Sequence, residues 1–299
     1  MRNSFLCFFC GLFLVFPAHA AITLADADGN RIVLPQAAQR LVSLAPHLTD
    51  LLLTLGARQQ IVGVSDDHES RGAYAKSLTG LPVVSDAASI NYEKLLAIKP
   101  DLVIAWGSGT PRNWIAQIRH LGIPVFVVDA THLLDLAAQI EQLGMLSGHE
   151  KAAGQQASAF RQRLSYLQQH YQRGLRLRYF YQIWSQPLYS LHAGHLLSQA
   201  LALCGADNIV AAGPVMAPLI NPEFVVAANP DVIMFGAADA ADSRVYWSRF
   251  PGLQAVSARH LLAVDDKRLT RPGPDMLPAV EALCVQLAPW RTASDKKSR

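Results

Sequence analysis

Short apolar runs alternate with amphipathic stretches along most of this chain, and the alternation predicts strands and helices in turn. Residues 40–44, 61–64, 83–84, 102–106 and 125–128 read as strands, nearly all apolar. Ala45-Pro46 breaks the first run, and a helix follows over 48–55 until Gly56 stops it. Further helices are predicted at 91–98 and 113–121, the second closed by Gly122-Ile123-Pro124. Strands that lack polar alternation belong in a parallel sheet covered on both faces.

A long polar helix is predicted next, over 150–172, with Phe160, Leu164, Leu167 and Tyr171 on one stripe and Gly174 as its stop. A second alternating region follows. Its strands are expected at 178–184, 188–191, 232–235 and 261–264, and its helices at 196–203, 222–228 and 276–287, with Pro278 tolerated in a first turn. The fold class is α/β: two parallel-sheet lobes joined by a single long rigid helix. Lobes are placed at 22–148 and 175–292, the connecting helix at 149–174, and a disordered tail at 293–299.

An internal repeat links the two regions. Asn91-Tyr92-Glu93-Lys94-Leu95-Leu96-Ala97-Ile98-Lys99-Pro100-Asp101 matches Asn221-Pro222-Glu223-Phe224-Val225-Val226-Ala227-Ala228-Asn229-Pro230-Asp231. Each copy reads as a short helix, a Pro-Asp turn and a buried strand. Two copies are too few for a solenoid and fit two similarly built lobes.

Composition places the chain outside the cytoplasm. Arg2, the apolar run from Phe5 to Phe16 and the ending Ala18-His19-Ala20 form a cleavable signal peptide over 1–20. The run falls short of the roughly 20 residues a membrane helix needs, and Phe8-Phe9-Cys10 is no lipoprotein motif. Removing the leader leaves Cys204 and Cys284, which an oxidising compartment joins in one disulfide. Closing that loop contributes roughly 4 kcal/mol in the chain-entropy picture. The net charge of +3 is scattered apart from the terminal Asp295-Lys296-Lys297-Ser298-Arg299 run, so nucleic acid is not an expected partner.

Open parallel sheets bind ligands at the carboxyl ends of their strands. The segments reaching that edge are Ala45-Pro46-His47, Ser65-Asp66-Asp67-His68, Trp106-Gly107-Ser108-Gly109 and Trp184-Ser185-Gln186, with Arg271-Pro272-Gly273-Pro274 expected to join them. Trp106 and Trp184 read either as core aromatics or as flat, rigid surfaces for a large ligand; the glycines after Trp106 favour an exposed loop. Asp67 and His68 sit in a turn that is either solvated or able to ligate a metal. His47 either caps a helix or lines the cleft. Glu93 and Glu223 occupy first helical turns, where the macrodipole alone favours an acid; as matched positions in two lobes they also suit two basic pockets on a pseudo-symmetric partner. Walker, His-Glu-x-x-His and Gly-x-Ser-x-Gly signatures are missing from the sequence, and no catalysis is expected.

At these residues the chain resembles the periplasmic binding proteins of vitamin B12 and iron-siderophore ABC importers, most closely the cobalamin-binding component. The resemblance covers nearly all of the mature chain. It rests on Val42-Ser43-Leu44-Ala45-Pro46, Ile61-Val62-Gly63-Val64-Ser65, residues 93–106 (EKLLAIKPDLVIAW), Cys204-Gly205-Ala206-Asp207-Asn208-Ile209 and Arg271-Pro272-Gly273-Pro274. It implies ligand held between two lobes with little hinge motion, and Glu93 and Glu223 docking on the transmembrane subunits of an ABC importer. It further implies the Cys204–Cys284 disulfide, Trp106 packing on a corrinoid, and Arg271 near the ligand's polar substituents. Ala87 and Ala217 stand where a cobalamin-binding member has further cleft tryptophans; Tyr181, Tyr189, Trp184 and Trp114 are candidate replacements.

The expected function is capture of cobalamin or a related corrinoid by a monomeric periplasmic protein without a cofactor, using Trp106, Trp184, Arg271, Asp67, His68, Gly107 and Tyr189. The rival on the same scaffold is a ferric siderophore or haem, with Arg71, Arg112, Arg244 and Arg271 as candidate anion partners. A secreted metal-dependent hydrolase using Asp66, Asp67 and His68, or an adaptor with an empty cleft, would belong to another class.

Overall fold

The computed structural model describes residues 21–66 and 75–297. Strands β1 (Ile22–Ala25) and β2 (Arg31–Leu34) open it as an antiparallel hairpin absent from the sequence expectations. Asp26 closes the turn: its Oδ1 accepts the backbone N–H groups of Asp28 (3.0 Å) and Asn30 (2.7 Å), while Gly29 takes φ 80°. The other Asp26 oxygen meets the Arg119 guanidinium at 2.7 Å, which fastens the hairpin to the first sheet's flank.

That sheet contains β3 (Leu41–Ser43), β4 (Ile61–Ser65), β5 (Val83–Ser85), β6 (Leu102–Trp106) and β7 (Val125–Val128), in spatial order β5-β4-β3-β6-β7. Every pairing is parallel. The chain works outward from β3 to β5, then returns to β6 on the other side of β3. Loops after β3 and β6 therefore leave in opposite directions and open a crevice between them.

The second sheet contains β8 (Leu177–Ser185), β9 (Leu188–Ser190), β10 (Ala206–Asn208), β11 (Val232–Gly236) and β12 (Leu261–Val264). Its parallel order is β10-β8-β11-β12, with β9 folded back antiparallel on the far end of β8.

Between the sheets in sequence runs the helix Glu150–Tyr171, whose buried stripe is Ala153, Ala157, Phe160, Leu164 and Leu167. It packs against Leu133–Ser147, a helix the sequence reading left out. Asp135 starts that helix by accepting the His132 N–H at 2.7 Å. The two helices approach closely because Gly144 has no side chain: a Cβ there would stand 2.2 Å from the Ala153 methyl. One buried apolar cluster runs from Leu41 and Ile104 through Leu143 and Leu164 to Tyr179, Leu201 and Leu283. It spans both sheets without interruption.

The last helix, Met276–Lys297, continues well past the expected end at 287. The expectation of a disordered tail from 293 is corrected to that extent; Pro289 lies inside the helix rather than ending it. Arg291, only 9% exposed, anchors this extension. Its guanidinium donates to the carbonyls of Leu175 (2.7 Å), Tyr171 (2.5 Å), Cys204 (3.1 Å) and Arg173. The disulfide Cys204–Cys284 is formed, with Cα atoms 4.8 Å apart, tying the end of helix Leu196–Leu203 to the same helix.

The repeat is a repeat in three dimensions. Asn91 and Asn221 cap helices Tyr92–Ala97 and Pro222–Ala228 through their Oδ1 atoms. Lys99 and Asn229 both take φ 45°. Asp101 accepts the Arg40 N–H at 3.0 Å and Asp231 accepts the Arg178 N–H at 2.7 Å, at the starts of the central strands. Those arginines in turn donate to the helix-end carbonyls of Ile98 (2.5 Å) and Ala228 (2.8 Å).

Candidate functional site

A partly open cavity of about 250 Å³ lies where the two halves face each other. The first half supplies His47 from the first turn of the helix after β3, Trp106 from the end of β6, Ser108 from the loop that follows, and Asp129 and Thr131 from the loop after β7. The second half supplies His192, His195, Met216, Thr270 and Pro272. Beside the cavity the two halves are bridged where the Gln199 side chain donates to the Thr131 carbonyl at 2.7 Å.

Trp106 is set by its own loop. The Thr110 hydroxyl accepts the Trp106 N–H at 3.0 Å, and the Trp106 carbonyl accepts the Thr110 N–H at 2.8 Å. The indole folds back over Gly109, where a Cβ would fall 1.9 Å from its Cε3. Glycine at 109 is thus a condition of the tryptophan's pose. Gly107 performs a similar service, since a Cβ there would reach within 2.7 Å of an Asp129 oxygen. Asp129 in turn accepts the Ser108 hydroxyl, with its oxygens 2.7 and 2.6 Å away.

His47 meets Trp106 edge-on, with ring centroids 5.0 Å apart and planes at 85°. Burial, reinforced by the nearby Arg271 cation, pushes its pKa down to about 4, so the ring is neutral at physiological pH. Arg271 itself does not line the cavity; its neighbours Thr270 and Pro272 do, and its guanidinium lies 3.8 Å from an Asp50 oxygen, pairing the two halves.

Other expected site residues lie elsewhere. Ile183 packs on the large core cluster, so Trp184, one strand position on, turns the other way. Its indole is 61% exposed and donates to the Gln186 carbonyl at 3.1 Å. Tyr189 pairs opposite it in the β8–β9 hairpin, and neither lines the cavity. Tyr181 is buried in the core. Asp67, His68 and Arg71 lie outside the described residues. Among the described residues no cluster of three or more histidines, cysteines or acids is arranged to hold a metal ion, and no helix is long and apolar enough to cross a membrane. Glu93 and Glu223 are both exposed, each on the first turn of its capped helix.

Sequence reasoning missed Asp129, His192 and His195. The signal available for the last two was His192-Ala193-Gly194-His195 just past an apolar strand, where a glycine between polar residues marks a shaped loop.

Two sheets with switch-point loops facing one crevice, lined by an aromatic and by polar side chains from both halves, define a two-part small-ligand binding protein. The family model described as periplasmic binding protein matches residues 41–265. The chain belongs to the periplasmic binding protein family, whose members bind solutes and are not enzymes. It is 34% identical over 279 residues to the vitamin B12-binding protein of Yersinia pestis, spanning 93% of this chain and 95% of the relative. With the vitamin B12-binding protein of Vibrio cholerae it is 34% identical over 267 residues, 89% of this chain and 95% of that one. The crystal structure of periplasmic vitamin B12-binding protein BtuF of Vibrio cholerae superposes with a TM-score of 0.77 at 33% identity, covering 85% of this chain and 98% of that one.

Proposed function

We propose that this protein captures cobalamin or a related corrinoid between its two halves and delivers it to an ABC importer. Export through the 1–20 leader would place it in the periplasm, where it acts as a monomer on a scaffold stiffened by the helix Glu150–Tyr171. The observation that carries the reading is Trp106, held over Gly109 at the switch point with its ring bordering the crevice. A flat aromatic in that pose offers a macrocycle a large contact at small entropic cost. A corrinoid is several times larger than the enclosed volume, so one edge of the ring with its side chains enters the cavity and the rest lies in the open crevice. Arg271, beside His47, would sit close to those side chains.

The lining chemistry weighs against the rival anionic ligands. Asp129 faces the cavity, and no lysine or arginine is among its described lining residues. Siderophore carboxylates and haem propionates call for several convergent cations. Glu93 and Glu223 serve a different purpose: repeated, exposed and away from the cavity, they suit two basic pockets on the importer.

Titration of the purified protein with cobalamin, haem and a ferric siderophore, read by tryptophan fluorescence, tests the assignment. Saturable quenching by corrinoids is expected. Silence toward corrinoids, with a response to haem or siderophore, would overturn it.

A further inference from the structure

His192 and His195 line the second-half wall of the cavity, and each ring is pinned by backbone. His192 Nδ1 accepts the Gly194 N–H at 2.9 Å, and His195 Nδ1 accepts the Leu197 N–H at 3.1 Å. A ring nitrogen that accepts an N–H carries no proton, so the neutral ring bears its proton on Nε2. Neither Nε2–H finds an acceptor among the described residues. Gly194 permits the first pose, because a Cβ there would lie 2.8 Å from His192 Cε1. One wall therefore carries two ring N–H groups without a partner among the described residues, fixed in tautomer by the chain itself. The opposite wall carries a fixed acceptor, the Asp129 carboxylate, oriented by the Ser108 hydroxyl.

We infer that His192 and His195 are specificity-determining donors that, with Asp129 as complementary acceptor, select a ligand edged with primary amides over one edged with carboxylates. This rests on the corrinoid reading above and names the part of the ligand that the enclosed floor receives. A primary amide offers a carbonyl to the two imidazole N–H groups and an NH₂ to Asp129. A carboxylate offers acceptors alone and meets Asp129 with like charge, while the cation nearest the described lining, Arg271, stands beside His47 and faces Asp50.

Two corrinoids separate the possibilities: cobinamide, whose ring side chains are amides, and cobyrinic acid, whose side chains are free carboxylic acids. Dissociation constants for both are measured on the full-length mature protein and on His192→Asn, His195→Asn, His192→Gln, His195→Gln and Asp129→Asn. Asparagine keeps an acceptor for the pinning backbone N–H and loses the reach of Nε2–H; glutamine restores the reach. The wild type is expected to bind cobinamide at least about tenfold more tightly than cobyrinic acid. Each histidine-to-asparagine change should weaken cobinamide about tenfold with little change in Tm, each glutamine should recover part of that loss, and Asp129→Asn should improve cobyrinic acid alone. Wild-type affinity for cobinamide in both asparagine variants, or equal affinity of the wild type for the two corrinoids, overturns this inference and leaves the corrinoid reading standing. Failure of the wild type to bind either corrinoid overturns both.

Discussion

The segments 91–101 and 221–231 have nearly the same burial sequence, the same asparagine cap and the same left-handed residue before proline. The loops that border the crevice share no such likeness. The first half brings a tryptophan, a carboxylate and one imidazole, the second brings two imidazoles and a methionine. Likeness is kept where each half presents one exposed acid, and abandoned where the halves border the cavity. A ligand without twofold symmetry needs unlike walls, whereas a partner built from two similar subunits needs like ones.

The largest expected effect comes from breaking the likeness. Glu93→Lys combined with Glu223→Lys should abolish uptake in cells that depend on this protein while leaving corrinoid affinity within about twofold, since both acids lie outside the cavity. Uptake that survives both reversals would reduce the acids to ordinary helix-start residues.

Acid tests the unlike walls, one histidine from each. Burial holds His47 and His195 near a pKa of about 4, against 6.5 for a free ring. The unfolded chain takes up these protons first, so the neutral rings contribute stability above pH 6.5 that is lost as pH falls toward 4. The loss should be on the order of 3 kcal/mol per ring. Denaturant unfolding followed from neutral pH to about pH 4.5 should show that slope, and His47→Leu should reduce it by roughly half, leaving the His195 share; a slope unchanged by the substitution would place the titration elsewhere.

A smaller effect is expected at the aromatic wall. Trp106→Ala should raise the Kd for cobalamin roughly 30-fold, about 2 kcal/mol. Gly109→Ala, which displaces the indole without removing it, should go the same way by a smaller factor. The same titration on Trp184→Ala should stay near the wild type, because that indole stands outside the cavity. The smallest effect returns to the repeat: Asn91→Ala and Asn221→Ala should each cost about 1 kcal/mol in urea unfolding. Unequal costs would mean that the two caps are alike in geometry and different in load.

Much of this architecture was legible in the residues. Parallel strands announced themselves at 102–106 and 125–128, because a strand buried on both faces has no polar positions to blur it. The β1–β2 hairpin escaped notice because its strands are half-exposed and its cue is the turn Asp26-Ala27-Asp28-Gly29-Asn30 rather than a hydrophobic run. The helix Leu133–Ser147 was missed although Asp135 and Gly148 mark its ends, since its apolar residues spread around much of the circumference and leave little contrast. Of the site, Trp106 was readable from its following glycines. For Trp184 the sequence left core and cleft both open, and its indole lies outside the cavity: a strand end fixes depth along the sheet, while the side-chain direction depends on which neighbouring residue meets the core. His192 and His195 carried a cue in the Gly194 between them, but that cue marks a shaped loop and leaves open which way the loop after β9 folds.

The unbroken apolar cluster through helices Leu133–Ser147 and Glu150–Tyr171 has a bearing on how cargo is handed over. If cargo is carried between the halves as proposed, prising them apart would break into this shared cluster, and vacant and loaded molecules would then keep nearly one posture. A transporter meeting such a molecule would not tell full from empty by overall shape. It would have to feel the passenger itself, or the loops that border it, at the mouth of the crevice.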